Sequence, residues 1–182
     1  MLTLHNGRPS DTSGRLQKEL AVYDLLDRLG IAYERVDHEP AFTMEACEEI
    51  DRALAPCVIC KNLLLYNSNK TSFYLLMLRG DKKFNTKEVS SQIGSTRLSF
   101  APEEFMEKFL DLTPGSVSVM GLMNDRENQV KLLIDRDVLD SEYVGCHPCI
   151  NTSSLRMKTR DLCERFLPAV GHAYQIVEIS AN

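Results

Sequence analysis

The run Val58-Ile59-Cys60-Lys61-Asn62-Leu63-Leu64-Leu65-Tyr66 reads as a buried strand interrupted by two residues that strands disfavour. Lys and Asn are depleted in such segments, and a buried ammonium is costly unless it is paired. Two placements resolve the conflict. Lys61 lies on the wet face of an edge strand, or it is kept in mid-strand to meet an anion such as a phosphate.

The chain has 182 residues, which suits one domain, 1–182, with a sizeable core. No apolar run approaches the ~18 residues that span a membrane. The first residues lack a signal-peptide apolar core. A cytoplasmic protein whose six cysteines are reduced thiols is therefore expected. The net charge of −5 argues against broad capture of a nucleic-acid backbone and leaves room for a small basic patch.

Residues 1–12 are polar and read as loosely held. Leu16, Leu20, Tyr23, Leu26 and Leu29 predict a helix over 14–29, stopped by Gly30. A strand follows over 31–36, and Thr43 can cap a helix to about Leu54. Residues 57–66 and 72–79 are expected as strands joined by a hairpin turn at 67–70. Thr86 is expected to cap a helix ending at Gly94. A short strand over 98–100 precedes a helix with Pro102 in its first position. Strands are predicted over 117–123, 129–134, 143–146, 150–156 and 174–179. Thr159 is expected to cap a last helix. Strands outnumber helices and include hairpins, so strict βαβ alternation does not fit. The expected class is α+β, with a mixed sheet or open barrel flanked by helices.

Two Cys-x-x-Cys pairs, Cys57/Cys60 and Cys146/Cys149, are the ligand type of a tetrahedral zinc site. Their separation far exceeds that of a zinc ribbon. Residues three apart on a strand also point to opposite faces. No metal and no cofactor are expected. Gly145-Cys146-His147-Pro148-Cys149, followed by Asn151-Thr152-Ser153-Ser154, is a polar cluster between strands. Pro114-Gly115-Ser116-Val117-Ser118 is a Gly-led loop whose N–H groups can cradle an anion or a carbonyl oxygen, although taken alone a plain turn is the favoured reading. No nucleotide-binding glycine motif or metalloprotease helix occurs.

In order and spacing these pieces resemble the YbaK/prolyl-tRNA synthetase editing-domain superfamily. The free-standing ProXp-ala (PrdX) branch of Ala-tRNAPro deacylases is the nearest likeness. The matching stretches are residues 36–43, 61–65, 80–83, 97–101, 112–118 and 122–125, then Val144-Gly145-Cys146-His147-Pro148 with Asn151-Thr152. The resemblance covers about 16–179. It implies a mixed, barrel-like sheet and hydrolysis of the ester of a mischarged aminoacyl-tRNA. Lys61 then looks like the family's essential lysine, beside the phosphate of the terminal adenosine. Gly115 to Val119 matches the Gly-x-x-x-Pro loop that holds the aminoacyl carbonyl, so Gly115 joins Lys61 and His147 as catalytic candidates. Asn62, Ser116, Val117, Ser118, Val119, Gly145, Pro148 and Asn151 are the substrate-binding candidates. A ribose hydroxyl of the substrate activates the water in this family, which suits a sequence without a convincing general base.

Three features depart from the pattern. Val119 replaces the loop's terminal Pro, removing a φ constraint and adding an N–H. Cys57 and Cys60 precede the lysine, and Cys146 replaces a usual aromatic. The expected activity is clearance of alanine from tRNAPro in trans to prolyl-tRNA synthetase. Lys61, with Lys82, Lys83 and Arg97, is expected to hold the acceptor end. The expected state is a monomer or weak dimer with no membrane contact. Alternatives are a deacylase for Cys-tRNAPro or another small amino acid, a non-catalytic tRNA- or synthetase-binding module, and a zinc-binding regulator.

Overall fold

The computed structural model describes residues 1–181. Its strands are β1 (Leu4–Asn6), β2 (Tyr33–Asp37), β3 (Val58–Tyr66), β4 (Phe73–Arg79), β5 (Ser99–Phe100), β6 (Val130–Asp135), β7 (Tyr143–Cys146), β8 (Ser153–Lys158) and β9 (Tyr174–Val177). They form one mixed sheet in the order β1-β2-β8-β7-β3-β4-β6-β9, with β5 attached to β3. The longer helices are α1 (Gln17–Arg28), α2 (Met44–Leu54) and α3 (Thr86–Ile93). Shorter helical turns are α4 (Glu103–Phe105), α5 (Arg136–Leu139), α6 (Thr159–Asp161) and α7 (Leu167–Ala169). A mixed sheet flanked by helices is the class the sequence predicted. Among the described residues no helix is long and apolar enough to cross a membrane.

β4 explains the layering. Phe73, Leu75 and Met77 enter one core, beneath α1 and the turns around Leu110 and Phe166. Tyr74, Leu76 and Leu78 enter a second core, beneath α3. Successive strand residues point to opposite faces, so an unbroken apolar run marks a strand covered on both. A third, small cluster joins Val36 to Ile50 and Leu54 of α2.

Five local expectations are corrected. Thr159 does not cap the last helix: Lys158 is the cap residue and Thr159 the first helical one, its hydroxyl meeting no partner among the described residues. Leu4–Asn6 is not loosely held: it pairs antiparallel with β2. Residues 117–123 are not a strand. Val-Ser-Val-Met alternates, but Val119–Asn124 is a 3-10 helix capped by the Ser118 hydroxyl. It packs so closely on the preceding segment that a Cβ on Gly121 would lie 2.7 Å from Leu112 Cδ1. Asn85, not Thr86, caps α3, because the Thr86 hydroxyl instead donates to Leu98 O at 2.7 Å. Pro102 is the cap residue and not the first helical one; Glu103–Phe105 then run into a π-helical stretch, Met106–Leu110.

Lys61 is exposed, but not on an edge strand. β3 pairs with β4 over 60–66. On its other side β7 pairs only with Val58 and Ile59, and β5 only with Leu65 and Tyr66. Between β7 and β5 the ladder has a gap, and Lys61 and Asn62 sit in it.

Candidate active site

The gap in the ladder opens onto a hollow of about 260 Å³. Ile50 and Leu54 of α2, Ile59 and Cys60 of β3 and Cys146 of β7 supply its apolar wall. Asn62, Gly115, His147 and Asn151 supply polar groups. Lys61 lies outside it, on an adjoining groove that shares Phe42, Ile59 and Cys60 with the hollow. Its ammonium donates to the backbone oxygen of Lys82 at 2.6 Å. A carbonyl is a weak partner for a cation, so an arriving anion displaces it readily.

Gly115 carries a φ of +87°. An L side chain is strained there, and a Cβ would point at Asn151 Nδ2 from 3.9 Å. Ser116 N–H closes this turn onto Thr113 O at 3.1 Å. The N–H groups of Gly115 and Val117 meet no acceptor among the described residues. The loop thus offers donors of the kind that receive a carbonyl oxygen.

The other loop candidates turn away from the hollow. Ser116 is buried, and its hydroxyl donates to Thr113 O at 2.9 Å. Val117 packs against the main core, and Val119 is fully buried within it. Ser118 is fully buried and donates to His147 O at 2.6 Å. The tight turn followed at once by a 3-10 helix directs these side chains inward. Gly145 lines the hollow, whereas Pro148 is buried beside it in the turn.

His147 is oriented by the main chain. Its Nδ1 lies 2.9 Å from Ser153 O, and a carbonyl only accepts, so Nδ1 carries the proton. Nε2 is left as an acceptor with no partner among the described residues. Burial holds the imidazole below its ordinary pKa, which the Ser153 bond only partly opposes, so the ring is neutral. Ser153 is held in turn, its hydroxyl donating to Asp37 at 2.6 Å. Burial alone would raise Asp37, but hydrogen bonds from Arg35, Arg15 and Ser153 keep it well below the usual carboxylate range. Sequence reasoning assigned no role to Asp37, to His38 or to the α2 wall. His38 lines the hollow, and its Nε2 lies 2.9 Å from Ser154 Oγ. His38-Glu39-Pro40, a polar turn leaving a strand, was the available signal.

Asn62 Oδ1 is buried and meets no donor among the described residues. Such an acceptor costs about 1–3 kcal/mol until a donor arrives.

The cysteine pairs are split. Cys60 and Cys146 line the hollow, Cys57 the adjoining groove. Cys149 lines a separate cleft behind the Gly115 loop, with Arg15, Lys18 and Thr113. Among the described residues no three His, Cys, Asp or Glu side chains converge as a metal site requires. Burial pushes the Cys60 thiol up to about 12, with Cys57 and Asp135 adding to it. Lys82, expected to hold tRNA, is instead buried. Its ammonium lies 3.0 Å from Asp135, 2.8 Å from Asp137 and 2.8 Å from Ile179 O.

Residues 38–164 match the aminoacyl-tRNA editing domain family. The chain belongs to that family. It is accordingly a hydrolase of the aminoacyl-tRNA deacylase type, acting on aminoacyl-tRNA. It is 34% identical over 159 residues to the prolyl-tRNA editing protein ProX of Acetoanaerobium sticklandii, covering 87% of this chain and 96% of that protein. It is 29% identical to the prolyl-tRNA synthetase associated domain-containing protein 1 of Mus musculus, covering 81% and 88% respectively. The solved structure of a candidate trans-editing enzyme for prolyl tRNA synthetase superposes with a TM-score of 0.67 at 16% identity, over 92% of this chain and 99% of that one. That likeness supports the fold.

Proposed function

We propose that the protein hydrolyses alanine from mischarged Ala-tRNAPro, in trans to a prolyl-tRNA synthetase. The observation that carries this reading is the hollow itself. It is small, walled by Ile50, Leu54 and Ile59, and polar where Asn62, Gly115, His147 and Asn151 meet. The similarity to ProX supports prolyl-tRNA as the tRNA class.

The energetic logic is size exclusion. A synthetic site built for proline rejects a smaller amino acid weakly, since missing methylenes are worth only ~1–3 kcal/mol. A second, smaller pocket can hydrolyse what fits and leave proline untouched. In this reading Lys61 meets the phosphate of the terminal adenosine from the adjoining groove. The N–H of Gly115 receives the carbonyl oxygen as it becomes an oxyanion. Asn62 Oδ1 accepts from the substrate's α-ammonium, which ends its isolation. Neutral His147 offers Nε2 to the attacking water. A depressed imidazole orients water better than it deprotonates it, so a ribose hydroxyl of the substrate relays the proton. Water attacks the ester carbon and gives a proton to the free ribose hydroxyl, which passes its own proton to the esterified ribose oxygen as the ester C–O bond breaks, so that this oxygen leaves as a hydroxyl and the amino acid as a carboxylic acid.

The test is a panel of tRNAPro charged with alanine, serine, cysteine or proline. Alanine should be released about tenfold or more faster than proline. Equal rates would end the size-exclusion reading, and faster release of cysteine would reassign the substrate.

A further inference from the structure

Beyond the hollow, the α3 side of the sheet carries an exposed aromatic ring that the core does not explain. Phe100 is 63% exposed. Its ring packs edge-on against Phe84, with centroids 5.7 Å apart, so it is held and not free to swing. Phe100 lies opposite Leu65 in the β3–β5 pairing. Directly opposed residues share a face, and so do alternate residues along β3. Phe100, Leu65, Leu63 and Lys61 therefore stand on one side of the sheet, with Lys61 and Phe100 exposed at its two ends and Leu65 buried in the core between them. Lys61 is four residues along β3 from Leu65, about 13 Å, and β5 adds one strand spacing of about 5 Å.

Cations stand near this strip along the chain. Lys83 is next to Phe84, Lys87 is three residues beyond it, and Arg97 is three residues before Phe100; all three are exposed and have no ion-pair partner among the described residues. Acids are interspersed with them: Glu88 lines the same surface pocket as Lys83 and Lys87, and exposed Glu103 and Glu104 follow Phe100. Asp81 pairs with Arg79 at 3.0 Å, and Glu88 accepts from Ser180. The segments are tied together by the Lys61–Lys82 bond, the Phe84–Phe100 contact and the Thr86–Leu98 bond. Three cations without ion-pair partners, in a chain of net charge −5, can meet an anionic partner that touches only here.

We infer that the strip from Lys61 to Phe100 is a track for the unpaired 3′ end of the tRNA, with Phe100 as a base-stacking platform and Lys83, Lys87 and Arg97 as phosphate contacts. This rests on the reading of aminoacyl-tRNA as substrate and adds a surface outside the hollow. The span matches about four stacked nucleotides at about 3.4 Å each. An exposed, supported aromatic beside cations is how single-stranded nucleic acid is held without sequence reading.

The test uses an uncharged RNA minihelix ending in an unpaired CCA tail, labelled and titrated by fluorescence anisotropy at fixed salt. It needs no hydrolysis, so its failure is distinct from failure of the deacylase reading, which a rate assay with wild-type protein reports. Phe100→Ala should weaken binding by about tenfold or more, and Phe100→Trp should restore it. Lys83→Gln with Arg97→Gln should weaken binding and flatten its salt dependence. A blunt minihelix should bind the wild-type protein more weakly than the tailed one. Phe100→Ala binding within about twofold of wild type, or equal affinity for the blunt and tailed RNAs, overturns the inference.

Discussion

The Ser118 hydroxyl donates to the main-chain oxygen of His147 at 2.6 Å, tying the Gly115 loop to the turn that carries the imidazole. The same oxygen of Ser118 accepts from Met120 N–H at 3.1 Å. Ser118→Ala leaves both groups unsatisfied in a fully buried place. Stability should fall by about 1–3 kcal/mol in urea denaturation. Single-turnover deacylation should slow, because the loop and His147 no longer share a fixed separation. Unchanged stability together with an unchanged rate would show that the tie contributes nothing.

Lys61→Ala should leave the melting temperature within a degree or two of wild type, since Lys61 is exposed and bonded only to a carbonyl. Deacylation should fall by about tenfold or more, the worth of a charge-assisted contact. Lys61→Arg should rescue poorly, because a planar guanidinium does not occupy an ammonium's position. Wild-type rates in the alanine variant would remove Lys61 from the site.

Val119→Pro should fold. Val119 is the first residue of the 3-10 helix, a position that suits proline. Ser118 before it is already extended, φ −152° and ψ 148°, as a residue preceding proline must be. Stability should stay within about 1 kcal/mol of wild type. Stiffening should change the ratio of alanyl to seryl release. A well-folded variant inactive on both would show that the loop's alignment with the family is misplaced.

His147 predicts a pH dependence. Its folded pKa lies below the ordinary value near 6.5, so the unfolded chain takes up the proton first as pH falls. Its contribution to stability is therefore complete above about pH 6.5 and shrinks as pH falls toward the folded value. The stability difference between wild type and His147→Gln should be flat above that pH and narrow below it. Deacylation should decline at the lower end of that range, where the folded imidazole takes up its proton and Nε2 ceases to accept. A rate that rises on acidification would contradict a neutral acceptor role.

Lys82→Met separates scaffold from substrate contact. It would leave Asp135, 1% exposed, without its cation. Loss of about 3–5 kcal/mol is expected. The salt dependence of tRNA binding should not change. A stable variant with weakened tRNA binding would restore Lys82 to the surface patch.

The sequence exposed the scaffold more fully than the site. The β4 run and the α1 periodicity were readable because burial leaves a repeat in the residue types. Lys61 and Asn62 were conspicuous because they break such a repeat. The strand expected over 117–123 failed for a tertiary reason: a capping Ser118 and a close approach at Gly121 outweigh alternation. The inward turn of Ser116 and Ser118 was equally hidden, since a hydroxyl in a loop reads the same whether it meets substrate or a carbonyl. The α2 wall escaped notice because Ile50 and Leu54 look like any helix stripe until β3 and β7 are placed beneath them. Lys82 was misassigned because its partners, Asp135, Asp137 and Ile179, lie far along the chain.

β4 belongs to two cores at once, and β3 beside it borders the hollow. A change in β4 is therefore felt on both sides of the sheet, and that strand has little freedom to vary across descendants. Cys60 of β3 and Cys146 of β7 face the hollow. In the size-exclusion reading, exchanging them for larger or smaller residues would alter which amino acid fits, with repacking of the main core that both touch. On that reading, a lineage carrying this architecture would change its preferred amino acid by replacing one or two wall residues.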